Sequence, residues 1–251
     1  MQKNISIITI CKNSEKYLED TIKSVISQDC SDYELIIVDG ASTDNTIGII
    51  QRYENKISKW ISEPDQGIAD AMNKGINLAT GDYLLFLHSD DYLLSNNILG
   101  KILDSINDAK IQIFEIYFGS TDSLHIKKPR GFNSWMWFKY GIYHQAALCH
   151  KSVFNDIGHF DTTFKIAMDY DFFLRAYNHG ISISKNSFPI SVMRDTGISS
   201  QLDWPSLRYR FYEERQVQKH NKPPMVLKVL RVFFWPTYIF YRKLRSRYYS
   251  R

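Results

Sequence analysis

Residues 34–46 read ELIIVDGASTDNT, and this stretch decides the fold. ELIIVD is a run of aliphatic and β-branched residues that predicts a buried strand, and the polar residues after it predict a turn leading into a helix. Residues 5–10 (ISIITI) and 83–87 (YLLFL) have the same strand character, and helical spacing of apolar residues separates the predicted strands. Strands that alternate with helices predict an α/β fold with a mostly parallel central sheet.

Polar side chains stand at the end of each predicted strand. They are Thr9–Asn13 after the first strand, Asp39 with Ser42 after the second, and His88–Asp91 after YLLFL. Because the carboxyl ends of parallel strands meet at one edge of a sheet, we expect these residues to line a ligand site, although each alone is also an ordinary cap or turn residue. The sequence has neither GxGxxG after the first strand nor GxxxxGK[ST], so a nucleotide would be held through carboxylates and a metal.

The order of the motifs along the chain is informative. They are TxxxN from Thr9, VDxxSxDxT from Val38, SEPDxGIxDAMNKG from Ser62, GDYLLFLxSDD from Gly81 and DYDFFLR from Asp169. Together they resemble the inverting glycosyltransferase family 2 over about residues 3–180. The resemblance implies a Rossmann-like GT-A domain, a nucleotide-diphosphate sugar donor such as a UDP-sugar, a divalent cation (Mn²⁺ or Mg²⁺) and a carboxylate general base.

The same resemblance assigns the donor site. It implies that Thr9 and Asp39 contact the base and ribose and that Ser42 supports their loop. Within GIYHQ, His144 would offset charge on the leaving diphosphate, whereas a lone histidine is also often structural. The other donor-site residues that it implies are Asn13, Asp65, Gly67 and Asn73.

His88-Ser89-Asp90-Asp91 stands where the family carries its metal motif, Asp-x-Asp or Asn-x-Asp-Asp. The resemblance implies Asp90 as the direct ligand, with Asp91 and His88 as the other candidate metal residues. The departure is His88, whose imidazole suits Mn²⁺ better than Mg²⁺. A hydrogen bond from His88 to the donor or to water is the alternative.

Asp169 is the implied general base, near the start of a helix predicted over residues 166–177. The family's Glu-Asp pair is Met168-Asp169 here, so only the second carboxylate is present. In an inverting displacement, a carboxylate removes the proton of the acceptor hydroxyl. The structural alternative is a favourable charge at a helix N-terminus. Asp171 and Arg175, one turn apart, predict a helical ion pair.

Charge divides the chain after Glu214. Residues 1–214 contain 21 Lys and Arg against 27 Asp and Glu, whereas residues 215–251 contain ten Lys and Arg and no acid. We therefore predict a GT-A domain over 1–214 and a basic aromatic helical tail over 215–251. Residues 225–241 are apolar but interrupted by two cations and a proline, which favours a helix lying on an anionic membrane over a spanning one. Packing on the domain's own surface is the alternative, and the acidic body argues against nucleic acid.

Location and partners follow from the same features. Three widely spaced cysteines, Cys11, Cys30 and Cys149, and the lack of a signal-peptide pattern favour the cytoplasm, with peripheral attachment to the inner face of the cell membrane. The QxxRW motif and spanning helices of processive synthases are missing from the sequence, which favours transfer of a single sugar. The expected acceptor is a glycan or a lipid-linked oligosaccharide of a bacterial surface polysaccharide.

Three other functions stay open at this point. A nucleotidyltransferase would share the sheet but would carry a Gly-rich basic loop where this chain has TICKNSEKY. A transferase acting on a bare polyprenyl phosphate would differ only in its acceptor. A catalytically inactive nucleotide-binding membrane scaffold would explain the altered metal and base motifs.

Overall fold

A computed structural model describes residues 4–120, 123–197 and 200–249. Within these residues, one sheet of nine strands forms the centre of the molecule. The strands are β1 (Ile5–Cys11), β2 (Tyr33–Asp39), β3 (Lys59–Ser62), β4 (Tyr83–Phe86), β5 (Tyr92–Leu93), β6 (Ile111–Phe118), β7 (His125–Lys127), β8 (Ala147–His150) and β9 (Ile183–Met193). Their order is β3-β2-β1-β4-β8-β6-β9-β5, and β7 pairs with β6.

Helices cover both faces of the sheet. They are α1 (Leu18–Ile26), α2 (Thr46–Arg52), α3 (Ile68–Leu78), α4 (Ile98–Ser105), α5 (Ser152–Ile157), α6 (Met168–Asn178), α7 (Trp204–His220) and α8 (Met225–Tyr249), with short 3-10 helices at Glu54–Lys56, Ser134–Trp137 and His144–Ala146. Buried side chains of α1, α2 and α4 form one core, and those of α3, α5 and α6 form the other. The predicted α/β class is confirmed.

The register of the sheet places the predicted site at one edge. β1 pairs in parallel with both β2 and β4, so that Ile8 lies between Ile36 and Phe86. β3 continues the parallel part beyond β2, whereas β8 is antiparallel to both β4 and β6. The mostly parallel sheet that was predicted is therefore confirmed, and the segments after β1, β2 and β4 emerge side by side.

Close packing of α3 fixes one side of this edge. A Cβ atom at Gly75 would collide with Ile8, so the helix backbone approaches β1 more closely than any other residue type would allow. The N-terminus of α3, which follows Gly67, is held at the same edge as the strand ends.

The C-terminal segment forms two helices that pack on the domain. The indole Nε1 of Trp235 in α8 donates to Gln218 of α7 at 2.9 Å, and Phe234 packs on Phe138 with ring centroids 5.2 Å apart. The predicted boundary between residues 214 and 215 lies inside α7, so no structural division occurs there. Residues 250 and 251 of the predicted tail lie outside the described residues. Within the described part of the chain, no helix has the length and apolarity needed to cross a membrane.

Candidate active site

Three side chains from separate segments form a hydrogen-bonded row. Asp169 lies in the first turn of α6, His144 begins a 3-10 helix, and His88 follows β4. The Oδ2 atom of Asp169 lies 3.1 Å from Nδ1 of His144, whose Nε2 lies 3.2 Å from Nε2 of His88. The structure thus brings together the predicted base, the predicted leaving-group histidine and the first residue of the predicted metal motif.

The chemistry of the row fixes its donors and acceptors. An ionised Asp169 only accepts, so we assign the proton of His144 to Nδ1, which donates to the carboxylate. The Nε2 atom of His144 then accepts from the Nε2–H group of His88. Burial and the neighbouring His144 hold the pKa of His88 well below its usual range, in agreement with a neutral ring. In this tautomer, Nδ1 carries the lone pair of His88.

Asp90 and Asp91 lie beside this row. The Oδ2 atom of Asp90 accepts from Thr196 Oγ1 at 3.0 Å, and Asp91 Oδ1 accepts from the backbone N–H of Arg194 at 3.2 Å. Asp91 is buried, and burial together with the charge of Asp90 raises its pKa well above the usual range. The ionised form of Asp91 is therefore disfavoured beside Asp90 even with Arg194 nearby, and a cation bound between the two carboxylates would favour it.

The segment before Asp169 is held by a residue that the sequence analysis missed. Glu213, in α7, is only 3% exposed, and its carboxylate accepts from the backbone N–H groups of Lys165, Ile166 and Ala167 at 2.8–2.9 Å. The carboxylate therefore fixes the turn that leads into α6, and through Ala167 it reaches the N-cap residue of the helix, which makes no side-chain cap bond of its own. The signal available in the sequence was the pair Glu213-Glu214, the last acidic residues of the chain.

Three further contacts fix α6. The hydroxyl of Tyr170 accepts from Gln218 Nε2 at 2.9 Å, which ties the residue after Asp169 to α7. The predicted ion pair between Asp171 and Arg175 is confirmed, with Arg175 Nε 2.7 Å from the carboxylate. Asn221 donates to the other oxygen of Asp171 at 2.8 Å.

Asp39 is the centre of a second polar cluster, at the end of β2. Its buried carboxylate accepts from the hydroxyl and backbone N–H of Ser42 and from the hydroxyl of Ser62 at 2.7 Å. Asp65 packs against Gly40, where a Cβ atom would collide with it, and accepts from the backbone N–H of Gly67 at 2.9 Å. The structure therefore brings Asp39, Ser42, Asp65 and Gly67 together.

The loops after β1 and β2 hold each other in place. Asn13 Oδ1 accepts from the backbone N–H of Thr43 at 2.8 Å, and the backbone N–H of Asn13 donates to Ser42 Oγ at 2.8 Å. Asn13 and Ala41 have φ values of 50° and 57°. Left-handed conformations in non-glycine residues cost energy and are concentrated at functional sites.

Thr9 and Asn73 have different surroundings from the other predicted donor-site residues. Thr9 is fully buried in β1, and its hydroxyl has no hydrogen-bond partner among the residues that the structure describes. The side-chain amide of Asn73 is bonded to the backbone of Phe160: it donates to the carbonyl at 2.9 Å and accepts from the N–H at 3.0 Å. It joins α3 to the segment before α6.

Two cavities meet at Asp169. The smaller, of about 90 Å³, is lined by His88, Asp90 and Asp91. The larger, of about 530 Å³, extends from Asp169 and His144 to the inner sides of α7 and α8. Both cavities include Asp169 and His144, so the carboxylate lies where a ligand on the Asp90 side would meet a ligand on the α7–α8 side.

Comparison with known proteins identifies the family and the fold. Residues 6–170 match the family model described as "Glycosyl transferase family 2". A "PGL/p-HBAD biosynthesis glycosyltransferase" of Mycobacterium bovis is 30% identical over 186 residues, which cover 72% of each chain. Among solved structures, S. aureus TarS 1–349 in complex with UDP-GlcNAc has a TM-score of 0.64 at 21% identity, covering 84% of this chain and 66% of that one. The mannosyltransferase PcManGT from Pyrobaculum calidifontis, in complex with GDP-Man and Mn²⁺, has a TM-score of 0.63 at 13% identity, covering 100% and 89%.

Proposed function

This chain belongs to glycosyltransferase family 2, and from that premise we propose that it transfers one sugar from a UDP-sugar to a hydroxyl of a glycan acceptor with inversion at the anomeric carbon. The observation that carries the proposal is the position of Asp169. Its carboxylate lies between the small cavity of the Asp90-Asp91 pair and the large cavity of about 530 Å³. An inverting base has to reach the acceptor hydroxyl while that hydroxyl attacks the anomeric carbon from the face opposite the diphosphate, so it must lie where the acceptor meets the donor.

The contacts of Asp169 suit proton removal. The backbone N–H of Tyr170 donates to Oδ1 at 2.7 Å, and His144 lies 3.1 Å from Oδ2. The two carboxylate oxygens together accept up to four hydrogen bonds, so with Tyr170, His144 and the neighbouring Tyr140 hydroxyl a direction remains for the acceptor hydroxyl. As the new bond to the anomeric carbon forms, the hydroxyl proton passes to Asp169, and the electron pair of the broken bond leaves with the diphosphate.

The donor set of Asp90 and Asp91 fits a hard divalent cation. Mg²⁺ and Mn²⁺ bind carboxylate oxygens, and Mg²⁺ in particular is commonly held by one or two carboxylates with substrate phosphates rather than by a protein cage. In line with this, the described residues contain no group of three or more acidic, histidine or cysteine side chains placed to hold a metal. Asp90 and Asp91 would hold the cation, which supplies charge stabilisation to the departing diphosphate. His88 would face the Asp90-Asp91 pair through Nδ1, the nitrogen that carries its lone pair.

The donor nucleotide is proposed to bind at the Asp39 cluster. Asp39 accepts hydrogen bonds, as a base or ribose contact requires, and two of its present partners, the hydroxyl groups of Ser42 and Ser62, can rotate away while the backbone N–H of Ser42 keeps the carboxylate in place. TarS in complex with UDP-GlcNAc supports a UDP-sugar as the donor, through the shared fold. We leave Asn73 out of the proposed nucleotide site, because its side-chain amide is hydrogen-bonded to the backbone of Phe160.

We propose that α8 attaches the protein to an anionic membrane, so that the acceptor is a lipid-linked oligosaccharide at the inner face of the cell membrane. The inner side of α8 packs on α7, yet a second apolar stripe is open to solvent. Exposures of 69% for Phe233 and 65% for Phe240 are high for side chains of this size. Because no acidic residue follows Glu214, the stripe is flanked by cations alone, which suits anionic lipid. Members of the stripe are Val226, Val229, Leu230, Phe233, Phe240, Tyr241 and Leu244.

Turnover with a panel of UDP-sugars and water-soluble glycans, followed by UDP release and by NMR of the product, tests the transfer reaction. We expect acceptor-dependent UDP release that stops in excess chelator and in Asp90→Ala, and a β-linked product from an α-linked donor. Retention of the anomeric configuration would contradict inversion. Binding of UDP without release from any UDP-sugar would favour the inactive scaffold.

Vesicle flotation tests the membrane proposal. The double variant Phe233→Ser/Phe240→Ser should lose binding to phosphatidylglycerol vesicles, whereas Leu124→Ser/Ile126→Ser, at two exposed apolar positions of the β7 region, should keep it. Point variants are preferable to deletion of α8, because deletion would also remove the buried Trp235. Wild-type protein that ignores these vesicles at low salt would refute the attachment.

A further inference from the structure

The large cavity has walls of opposite charge. Asp169 and Asp195 lie on the side formed by α6 and the segment after β9, whereas Arg210 and Arg242 come from α7 and α8. Its volume of about 530 Å³ lies within the range of small-molecule sites. An acceptor that reaches Asp169 therefore extends towards two guanidinium groups.

Positive charge is concentrated on the α7–α8 wall. Arg210 and Arg242 both line the cavity, and burial, followed by the nearby charge of Arg242, lowers the pKa of Arg210. Glu214 opposes this effect, but its carboxylate also serves Lys139, whose Nζ lies 2.6 Å away. Arg242 donates to the hydroxyl of Tyr238, a neutral acceptor, at 2.9 Å. Arg210 and Arg242 thus line this wall with Glu214, and Lys139, which follows the 3-10 helix Ser134–Trp137, adds a third cation beside it.

Guanidinium groups select a particular class of anion. Their planar, multiple N–H donors match the oxygens of phosphate and bind it in a bidentate manner. Two like charges held together in a half-buried site repel each other unless an anion lies between them. The exposed apolar stripe of α8 lies on the same helix as Arg242, so an anion bound here would sit close to the proposed membrane surface.

We propose that the acceptor of this transfer carries a phosphate ester or diphosphate beside its sugar, and that Arg210 and Arg242 bind this group while Asp169 meets the sugar hydroxyl. The inference rests on the proposed glycosyl transfer, and it names the acceptor class. It predicts that the enzyme distinguishes a sugar phosphate from the free sugar even without lipid or membrane.

Calorimetry on the full chain tests the anion site, with saturating UDP and Mg²⁺ to fill the donor side. N-acetylglucosamine 1-phosphate and glucose 1-phosphate are compared with the free sugars. We expect at least one phosphate to bind about 10-fold or more tightly than its free sugar, the scale of a charge-assisted hydrogen bond. Arg242→Gln and Arg210→Gln should reduce this preference to within about 2-fold. Lys228→Gln, which removes an exposed charge from the same helix, should keep it.

The outcomes separate the two proposals. Equal affinity for phosphate and free sugar in the wild type, or a preference that survives in both arginine variants, overturns the anion site. Weaker binding to phosphatidylglycerol vesicles in Arg242→Gln with an unchanged phosphate preference assigns Arg242 to lipid headgroups and also overturns it. A phosphate preference without release of UDP from any UDP-sugar upholds the anion site and refutes the transfer reaction. Thermal melts of each variant confirm that it is folded.

Discussion

The two sides of the cleft are built in different ways. On the donor side, the cluster around Asp39 comes from loops after neighbouring parallel strands, and the register of the sheet places them together. On the acceptor side, Glu213 bonds to the N–H groups of residues 165–167, and Lys139 bonds to Glu214 across 75 positions. Those contacts depend on how α7 and α8 pack on the domain, and the register of the sheet does not determine that packing. Variants on one side should therefore leave the binding properties of the other side unchanged.

The largest effect is expected from Asp169→Asn. The amide keeps the shape of the side chain but cannot take a proton, so turnover should fall by about 10²–10⁴-fold. The dissociation constant of UDP with Mg²⁺, measured by calorimetry, should change by less than about 2-fold because the variant leaves the donor side intact.

Asp171→Asn is the matched control for the removal of charge from the start of α6. It breaks the ion pair with Arg175 and should lower the free energy of unfolding while most turnover is kept. If both variants lost turnover equally, the role of Asp169 would be to stabilise the helix N-terminus, and the assignment of the base would be wrong.

Glu213→Gln should have the next largest effect. Each oxygen of the carboxylate accepts backbone hydrogen bonds, and an NH₂ group in place of one oxygen would face an N–H donor. Since a hydrogen bond to a charged group contributes about 1.5–3 kcal/mol, the free energy of unfolding in urea should fall by about 2 kcal/mol. Turnover should fall as well, because the turn before Asp169 loosens, whereas the affinity for UDP should be unchanged.

The control is Asp203→Asn at the N-cap of α7. Asparagine keeps an acceptor for the backbone N–H of Ser206, so the free energy of unfolding should hardly change. A Glu213→Gln protein with wild-type stability and turnover would show that the turn before α6 does not need this carboxylate.

These two carboxylates show what the sequence could and could not predict. Asp169 was predicted as the base because DYDFFLR is a local pattern, and the helix predicted over 166–177 is observed as Met168–Asn178. Glu213 was missed because its partners are backbone groups 46 to 48 positions away, and backbone N–H groups carry no sequence signature. Likewise, His88 was assigned to a metal, donor or water, whereas its observed neighbour is His144, 56 positions away.

The donor side was more predictable for a physical reason. Parallel strands that alternate with helices have few ways to pair, so the pattern of strands and helices alone was enough to place the ends of ELIIVD and ISIITI side by side. Asn73 is the exception there. It belongs to a donor-site motif, but α3 turns its amide towards Phe160, and helix rotation at a single position is not fixed by the motif.

Asp39→Asn tests the donor side in turn. Loss of a charge-assisted hydrogen bond should raise the dissociation constant of UDP by about 10-fold. On the acceptor side, the KM for a soluble glycan at saturating donor should not change. Asp44→Asn is the control in the same loop, because it removes a carboxylate that accepts from the backbone N–H groups of Thr46 and of Glu15, in the loop after β1, and leaves the Asp39 carboxylate unaltered. Equal affinity for UDP in wild type and Asp39→Asn would remove Asp39 from the site.

The smallest effect is expected where α8 meets the domain, in Trp235→Phe. Phenylalanine fills most of the buried site but loses the indole N–H that donates to Gln218, and Gln218 in turn donates to Tyr170 beside Asp169. One neutral hydrogen bond contributes about 1 kcal/mol, so the free energy of unfolding should fall by about that amount. Trp135→Phe, at a position 42% exposed, should change it by less than about 0.5 kcal/mol. Affinity for UDP should stay the same in both variants, because neither touches the strand ends. If Trp235→Phe were as stable as the wild type, α8 would not be held by this contact, and the cationic wall of the large cavity would lose its support.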